Sequence, residues 1–270
     1  MVQTKTIYSP ITNKKNYMSN PYSFTYIIGY RHKSDRLQNL RRVIDWINGF
    51  GGVDLIVVEQ DKHSKISNLN LKCRHLFLKT DKPYNKSWSF NYATKMAKSN
   101  VVVFADSDLI MNPEEFIESL KLLEQYEMVN PYKSVIDLDQ NESNQPIESL
   151  FSINRPGRGE TDHQKVPICG GICIFRKDAI NKIGGWNERF VGWGAEDDFV
   201  SIKVEHFLKW KQQEYKCYHL HHHREAPNMN EYQKNLQLHN QYKNMSKEDL
   251  QKVMYQDVPK NGMKNKYDFF

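Results

Sequence analysis

The sequence has little of what marks membrane, secreted or nucleic-acid-binding proteins. No apolar run approaches the roughly 20 residues that span a bilayer, and the first residues lack the apolar core of a signal peptide. Four cysteines among 270 residues form no paired framework, which favours a reducing compartment. The net charge of +6 is dispersed apart from an acid-free stretch up to Ser34, and suits a protein that handles a small anion. We therefore expect a cytoplasmic globular protein with no transmembrane segment and no nucleic acid partner.

Alternating strand and helix signals predict an α/β protein whose mixed, mainly parallel sheet is flanked by helices in a single domain. The first helix is expected to begin after Ser34 as its N-cap and to end at Gly49. The helix after Asn112 has proline at its first position and acids in its first turn. The other predicted elements of this half are strands at Phe24–Tyr30, Val53–Val58 and Val101–Ala105 and a helix at Ser87–Lys98.

The second half of the chain has weaker patterns. The stretch Val129–Pro167 is polar in two places and predicts a loop over a site rather than a core element. Strands are expected at Gly170–Phe175 and near Tyr215–Tyr218, and helical spacing continues from Phe199 to Trp210. The residues after Pro227 are polar and helix-prone.

Two carboxylates follow the third predicted strand. Asp106 and Asp108 are separated by Ser107 at the carboxyl end of five apolar residues, where parallel sheets bind ligands. Such a pair can hold a hard cation such as Mg²⁺ or Mn²⁺, which in turn can bind a diphosphate. A solvated strand end or an Asx turn explains the same residues about equally well.

A tryptophan between two glycines precedes three acids. Glu196, Asp197 and Asp198 would be favoured at a helix start by the macrodipole alone. That explanation leaves Trp193 unexplained, because a tryptophan flanked by two glycines favours an aromatic platform that swings over a ligand. A carboxylate beside it could serve as a general base.

Four histidines lie close together from His219 to His223. Histidine is the commonest metal-binding side chain near neutral pH, so a zinc site is one interpretation. An exposed polar turn is another of equal weight, and other roles are a third. The cysteine spacing argues against a Cys₂His₂ zinc site.

In this order, the three motifs resemble the GT-A nucleotide-sugar glycosyltransferases, and most of all the β-1,4-galactosyltransferase and chondroitin-synthase-like group. The resemblance covers roughly Phe24 to Arg224, and its most specific part runs from Gly170 to Asp198. It implies a GT-A (Rossmann-like) fold and a catalytic domain at 24–226. Within that domain it implies a nucleotide-binding half at 24–125, a variable loop at 126–168 and an acceptor half at 169–226. Residues 1–23 would form an N-terminal extension and residues 227–270 a polar helical tail.

The resemblance also implies a role for each matching residue. Asp197 would be the catalytic base, and Glu196 would hold the acceptor. Asp108, His222 and His219 would bind Mn²⁺ or Mg²⁺, although the galactosyltransferases have a methionine where this chain has His219. Trp193 would cover the donor sugar. The residues expected to bind the donor are Tyr30, Arg31, Lys33, Glu59, Lys86, Asp106, Gly171 and Trp193.

The function implied is a metal-dependent inverting glycosyltransferase. It would move a hexose or N-acetylhexosamine from a UDP-sugar to a hydroxyl of a glycan or glycoconjugate acceptor. One alternative is a retaining enzyme of the polypeptide N-acetylgalactosaminyltransferase type. Another is a non-catalytic protein that binds a nucleotide-sugar or a glycan.

Overall fold

The structure, a computed structural model, describes residues 22–161, 165–168, 170–224, 226, 228–256 and 258–266. The N-terminal extension expected at 1–23 therefore lies almost entirely outside the described residues, as does Cys169. Of the other cysteines, Cys73 is half-buried, and Cys173 and Cys217 are buried.

Ten strands occur in the described residues and form two sheets. They are β1 (Thr25–Tyr30), β2 (Asp54–Asp61), β3 (Arg74–Lys79), β4 (Val101–Ala105), β5 (Leu109–Met111), β6 (Met128–Asn130), β7 (Ser134–Asp137), β8 (Cys173–Arg176), β9 (Trp210–Gln212) and β10 (Lys216–His219). The larger sheet has the order β3-β2-β1-β4-β8-β6-β9, and the smaller one has the order β5-β10-β7. In the larger sheet only β8 runs antiparallel to its neighbours β4 and β6.

Helices cover both faces of the larger sheet. In the described part of the chain they are α1 (Arg36–Asn48), α2 (Lys86–Met96), α3 (Pro113–Lys121), α4 (Gln140–Ser143), α5 (Ile147–Leu150), α6 (Lys177–Lys182), α7 (Glu196–Phe207), α8 (Met229–Lys243) and α9 (Lys247–Gln256), with short 3₁₀ helices at Leu122–Glu124 and Val258–Lys260. None of the helices among these residues is both long and apolar enough to cross a membrane.

Alternation along the strands divides the core into two layers. Tyr26 and Ile28 of β1 pack with the buried residues of α1 and α3, whereas Ile27 faces the layer that contains α2 and α7. Successive side chains of a strand point to opposite faces, so one apolar strand supplies both layers. This arrangement confirms the predicted α/β architecture and puts the carboxyl ends of β1 and β4 side by side.

Several predicted boundaries were wrong. Helix α1 begins at Arg36, and Asp35 rather than Ser34 occupies its N-cap position. The stretch predicted as a loop from Val129 contains most of β6 and all of β7, α4 and α5. The residues of the two strands are largely buried. Helical spacing continued to Trp210, but α7 ends at Phe207 because the chain extends at Leu208 and then pairs with β6 as β9.

The C-terminal segment packs against the rest of the domain. The carboxylate of buried Glu188 accepts hydrogen bonds from the Gly262 amide and from Lys266 Nζ. The indole Nε1 of Trp88 donates to the carbonyl of Met263 at 2.7 Å. These contacts tie the tail to helix α2, which begins at one of the predicted site residues, Lys86.

Candidate active site

A cavity of about 910 Å³ lies beyond the carboxyl ends of β1 and β4. This is the edge at which open α/β sheets bind ligands, and the volume suits a nucleotide-sugar. Most of the residues predicted from the sequence line it together. They are Arg31, Lys33, Lys86, Asp106, Asp108, Gly171, Trp193, Glu196, Asp197, His219 and His222.

Two predicted donor-binding residues lie elsewhere. The Tyr30 ring is buried in the core, and its hydroxyl lies 3.1 Å from His32 Nδ1. The buried carboxylate of Glu59 accepts hydrogen bonds from the Ser64 hydroxyl and the Lys65 amide and also contacts His75. Burial raises the pKa of Glu59, but these partners outweigh it and hold the pKa below its ordinary value. Neither side chain lines the cavity.

Asp108, His219 and His222 form a group that could hold a metal ion, because one ligand atom from each lies within 4.8 Å of the others. The smaller sheet creates this group: Leu109 of β5 pairs with His219 of β10, and the Leu220 amide donates to the carbonyl of Asp108. His222 Nε2 lies 3.2 Å from Asp108 Oδ2, and His219 Nε2 lies 3.8 Å from Asp108 Oδ1. Imidazole nitrogen and carboxylate oxygen are both ligands that Mn²⁺ accepts.

Neighbouring groups orient both imidazoles. His219 Nδ1 lies 3.0 Å from Asp137 Oδ1, in β7, which pairs with β10 in register. His222 Nδ1 lies 2.9 Å from the carbonyl of His223. A carbonyl and an ionised carboxylate can only accept, so each Nδ1 carries a hydrogen and each Nε2 faces Asp108, where it can donate to the carboxylate when the ring is protonated or bind a cation when the ring is neutral.

Charges around the group separate the pKa values of its members. Burial raises the pKa of Asp108, but the hydrogen bond to His222 and the nearby cations lower it overall. Burial lowers the pKa of His219, whereas the hydrogen bond to Asp108 raises that of His222. A cation binds the ionised form of a carboxylate and the neutral form of an imidazole, and these are the forms that the shifts favour for Asp108 and His219.

Lys86 lies among three carboxylates on the other side of the cavity. Its Nζ is 3.0 Å from Asp106 Oδ1, 3.5 Å from Asp197 Oδ2 and 3.8 Å from Glu196 Oε1. Burial lowers the pKa of Lys86, but the three acids raise it well above its ordinary value. Asn85, directly before it, caps α2 by accepting from the Trp88 amide, which fixes where the lysine leaves the helix.

Helix α7 begins with the two acids assigned to catalysis. Burial raises the pKa of Glu196 to about 7, with the neighbouring Asp197 adding to the effect. Burial also raises the pKa of Asp197, and Lys86 offsets part of that rise. Asp197 Oδ1 is buried without a hydrogen-bond partner among the described residues. A carboxylate with one oxygen fixed by a cation and the other unpaired can accept a proton from a bound hydroxyl.

Gly171 fixes the position of Asp106. The Gly171 amide donates to Asp106 Oδ2 and its carbonyl accepts from the Asp106 amide, both at 3.2 Å. Gly171 has φ of +72°, and a Cβ there would overlap the hydroxyl of Tyr132. Only glycine fits this combination of positive φ and close contact.

The aromatic wall of the cavity contains a residue that the sequence motifs did not indicate. Trp193 is 61% exposed, and its ring centroid lies 5.2 Å from that of Tyr232, in α8. A Cβ at Gly194 would lie 2.9 Å from the Tyr232 ring, so the loop fits closely against the helix. Tyr232 lies in a polar, helix-prone segment that contains no recognisable motif. Its aromatic side chain is the one feature of the sequence that could have indicated a role in the site.

Arg36 and Asp137 were also missed. Arg36 lines the cavity at the start of α1, and Asp137 holds His219 from the segment expected to be a loop. The basic turn after β1 could have indicated Arg36, because it lies three residues beyond Lys33. Nothing in the sequence around Asp137 could have indicated its histidine partner.

Two family models match the chain. "Glycosyl transferase family 2" matches residues 53–184, and "N-terminal domain of galactosyltransferase" matches residues 162–229. The first match contains Asp106 and Asp108, and the second contains Trp193, Asp197 and both candidate histidine ligands. No curated protein matches the chain by sequence.

Solved glycosyltransferases share the fold at low sequence identity. S. aureus TarS in complex with UDP-GlcNAc is 15% identical, with a TM-score of 0.56 over 88% of this chain and 72% of that one. The mannosyltransferase PcManGT from Pyrobaculum calidifontis, in complex with GDP-Man and Mn²⁺, is 13% identical, with a TM-score of 0.55 over 90% and 73%.

A third structure belongs to the group that the sequence motifs resemble. It is a mutant of Drosophila β-1,4-galactosyltransferase 7 in complex with manganese, UDP-Gal and xylobiose. It is 14% identical, with a TM-score of 0.50 over 78% of this chain and 79% of that one. The family matches and the shared fold together identify the chain as a glycosyltransferase with the GT-A fold, similar to the galactosyltransferases.

Proposed function

We propose that the chain is a metal-dependent, inverting glycosyltransferase that moves a hexose or N-acetylhexosamine from a UDP-sugar to a hydroxyl of a glycan acceptor. One observation carries the proposal: a single cavity is lined both by the Asp108, His219 and His222 group and by Asp197, whose Oδ1 has no hydrogen-bond partner among the described residues. Solved relatives in complex with UDP-Gal and manganese, or with UDP-GlcNAc, support the choice of donor.

Asp108, His219 and His222 would hold Mn²⁺ through one carboxylate oxygen and two Nε2 atoms. These three ligands leave coordination positions for phosphate oxygens, and the ion would neutralise charge on the departing UDP. Asp137 and the carbonyl of His223 keep both rings in the orientation that ligation requires.

Asp197 would remove the proton of the acceptor hydroxyl. As the hydroxyl oxygen forms its bond to the anomeric carbon, the bond from that carbon to the β-phosphate oxygen breaks, and UDP leaves with the electron pair. A base on the face opposite the leaving group inverts the configuration, so an α-linked donor gives a β-glycoside. Lys86 Nζ lies 3.5 Å from Asp197 Oδ2, which leaves Oδ1, without a hydrogen-bond partner among the described residues, as the oxygen that would take the proton.

Glu196 and the aromatic wall would hold the two sugars. With its pKa raised to about 7, Glu196 is partly protonated near neutrality and can both donate to and accept from sugar hydroxyls. Trp193 would cover the donor sugar, and Tyr232, whose ring contacts that of Trp193, lines the same cavity. Closing this wall would exclude water, which otherwise hydrolyses the donor.

The experiment is a donor screen that measures UDP release from UDP-galactose, UDP-glucose and their N-acetyl forms, each with a panel of glycan acceptors. We expect release that needs both Mn²⁺ and an acceptor and stops when EDTA is added. Proton NMR of the product should show a β-linkage from an α-linked donor.

The screen also separates the alternatives. An α-linked product would indicate a retaining enzyme of the polypeptide N-acetylgalactosaminyltransferase type. Calorimetric binding of UDP without turnover on any acceptor would indicate a non-catalytic nucleotide-sugar-binding protein. Either result would contradict the proposal.

A further inference from the structure

Most of the cationic side chains that line the cavity and could meet a diphosphate are already held by groups within the protein. Lys86 contacts three carboxylates, and Arg158 and Arg224 both pair with Asp137. Arg31 donates from Nε and Nη1 to two backbone carbonyls. A donor arriving with a diphosphate would have to compete with these partners for each of the four cations.

Arg36 differs from these four cations. Among the residues that the structure describes, its side chain has no ion pair, and its Nε is buried without a hydrogen-bond partner. A buried donor that stays unpaired destabilises a protein unless a ligand or water pairs with it. The guanidinium group is therefore available to an anion that enters the cavity.

The position of Arg36 favours a phosphate group as that anion. Arg36 lines the same cavity as Asp108 and His222, two of the candidate metal ligands. Asp35 Oδ2 accepts from the His223 amide at 2.9 Å, which holds the start of α1 against the histidine segment. A diphosphate carries two adjacent charged groups, so one could meet the ion while the other meets the guanidinium fork.

We propose that Arg36 is a donor-binding residue that pairs with the diphosphate of the nucleotide-sugar. The inference rests on the proposed function and adds a contact that the sequence motifs did not assign. By pairing with the phosphate that becomes the leaving group, Arg36 would stabilise the charge that develops as the glycosidic bond of the donor breaks. Its contribution would then appear in binding of UDP and in kcat.

The test compares UDP with uridine, which lacks the diphosphate. We expect Arg36→Met to weaken binding of UDP to the Mn²⁺-loaded protein by about tenfold or more, measured by calorimetry, because a charge-assisted contact is lost. Binding of uridine, followed by NMR titration, should not change. Arg36→Lys should restore part of the UDP affinity. Arg41→Met, on the same helix but outside the cavity, is the matched control and should bind UDP like the wild type.

A second readout separates a lost contact from a damaged site. Binding of Mn²⁺ without nucleotide should be kept or strengthened in Arg36→Met, because a nearby positive charge has been removed. Equal UDP affinity in Arg36→Met and wild type, or an equal loss for UDP and uridine, would overturn the inference. If the wild type binds UDP but transfers no sugar, the proposed function fails. The difference in UDP affinity between wild type and Arg36→Met would still show whether Arg36 binds the diphosphate.

Discussion

Replacing Lys86 with methionine removes the cation that three carboxylates share. At an effective dielectric constant of about 20, the 3.5 Å contact between Lys86 Nζ and Asp197 Oδ2 corresponds to about 4.7 kcal/mol of attraction. The attraction favours the ionised form of Asp197, so its loss must raise the pKa of that carboxyl. Because Asp106 and Glu196 share the cation, only part of this attraction acts on Asp197, and we expect the pKa of Asp197 to rise in Lys86→Met.

The sign of the kinetic effect follows from the role of Asp197. A general base works only when it is ionised, so activity falls as the pH drops through its pKa. Raising that pKa moves the acidic limb of the kcat/KM profile to higher pH. Lys86→Met should therefore lose much more activity at pH 6 than at pH 8.5, measured as UDP release across the pH range.

A surface lysine provides the matched control. Lys182 pairs with Glu127 at 3.0 Å, but its side chain is 53% exposed, and such pairs contribute little. Lys182→Met should keep the wild-type profile. An acidic limb that stays in place in Lys86→Met, with kcat/KM unchanged at pH 6, would refute the reasoning about this carboxylate cluster.

Three further predictions concern the metal, the glycine loop and a buried lysine. His222→Ala should abolish Mn²⁺ binding measured by electron paramagnetic resonance. His223→Ala, which changes an exposed side chain, should keep that binding. Mn²⁺ binding retained in His222→Ala would contradict the proposed ligand set. In Gly194→Ala the new Cβ would lie 2.9 Å from an aromatic ring on a backbone with φ of +101°. This variant should reduce kcat and lower the free energy of unfolding by about 1–3 kcal/mol. Gly51→Ala, whose Cβ would meet no atom within 4 Å, should lower the free energy of unfolding less and leave kcat unchanged. Burial lowers the pKa of Lys203 to about 7, so above that pH the unfolded chain binds more protons than the folded one. The free energy of unfolding should therefore rise between pH 7 and 9, by up to about 1.4 kcal/mol per pH unit. Lys203→Met should lack this rise in urea unfolding at the two pH values, and an identical pH dependence in both proteins would show that Lys203 is charged in the fold.

The elements with strong periodicity were predictable from the sequence. Strand β4 has the predicted bounds, Val101–Ala105, because five apolar residues in a row are typical of a strand buried on both faces. Helix α3 was marked at its start by Asn112, whose side chain accepts from the amides of Glu114 and Glu115. These signals are local, so a single sequence contains them.

The smaller sheet could not be predicted, although it builds the candidate metal site. Strand β5 has three residues and β7 has four, which is too few to show the alternation of apolar and polar residues that predicts a strand. Their pairing with β10 joins residues about 80 to 110 positions apart, such as Asp137 with His219 and Leu109 with His219. The histidine cluster and the Asp106 to Asp108 motif were each visible, but their contact depends on this register.

The cations show a similar limit. Lys86 was expected to meet the donor, and its three carboxylate neighbours were all visible as separate motifs. Which charges neutralise one another depends on distances of a few ångströms between elements far apart in the chain. Many charged residues of the cavity could therefore be predicted from the sequence, but Arg36 could not, nor which cations remain available to a ligand.

The most direct test of the central claim compares Asp197→Asn with Asp198→Asn in Mn²⁺-dependent UDP release. Amide replacement keeps the shape of either side chain but removes its ability to accept a proton. We predict that Asp197→Asn loses about 10²–10⁴-fold in kcat while it still binds UDP, and that Asp198→Asn, with an exposed side chain, stays close to wild type. Wild-type turnover in Asp197→Asn would contradict the assignment of the base and, with it, the inverting mechanism.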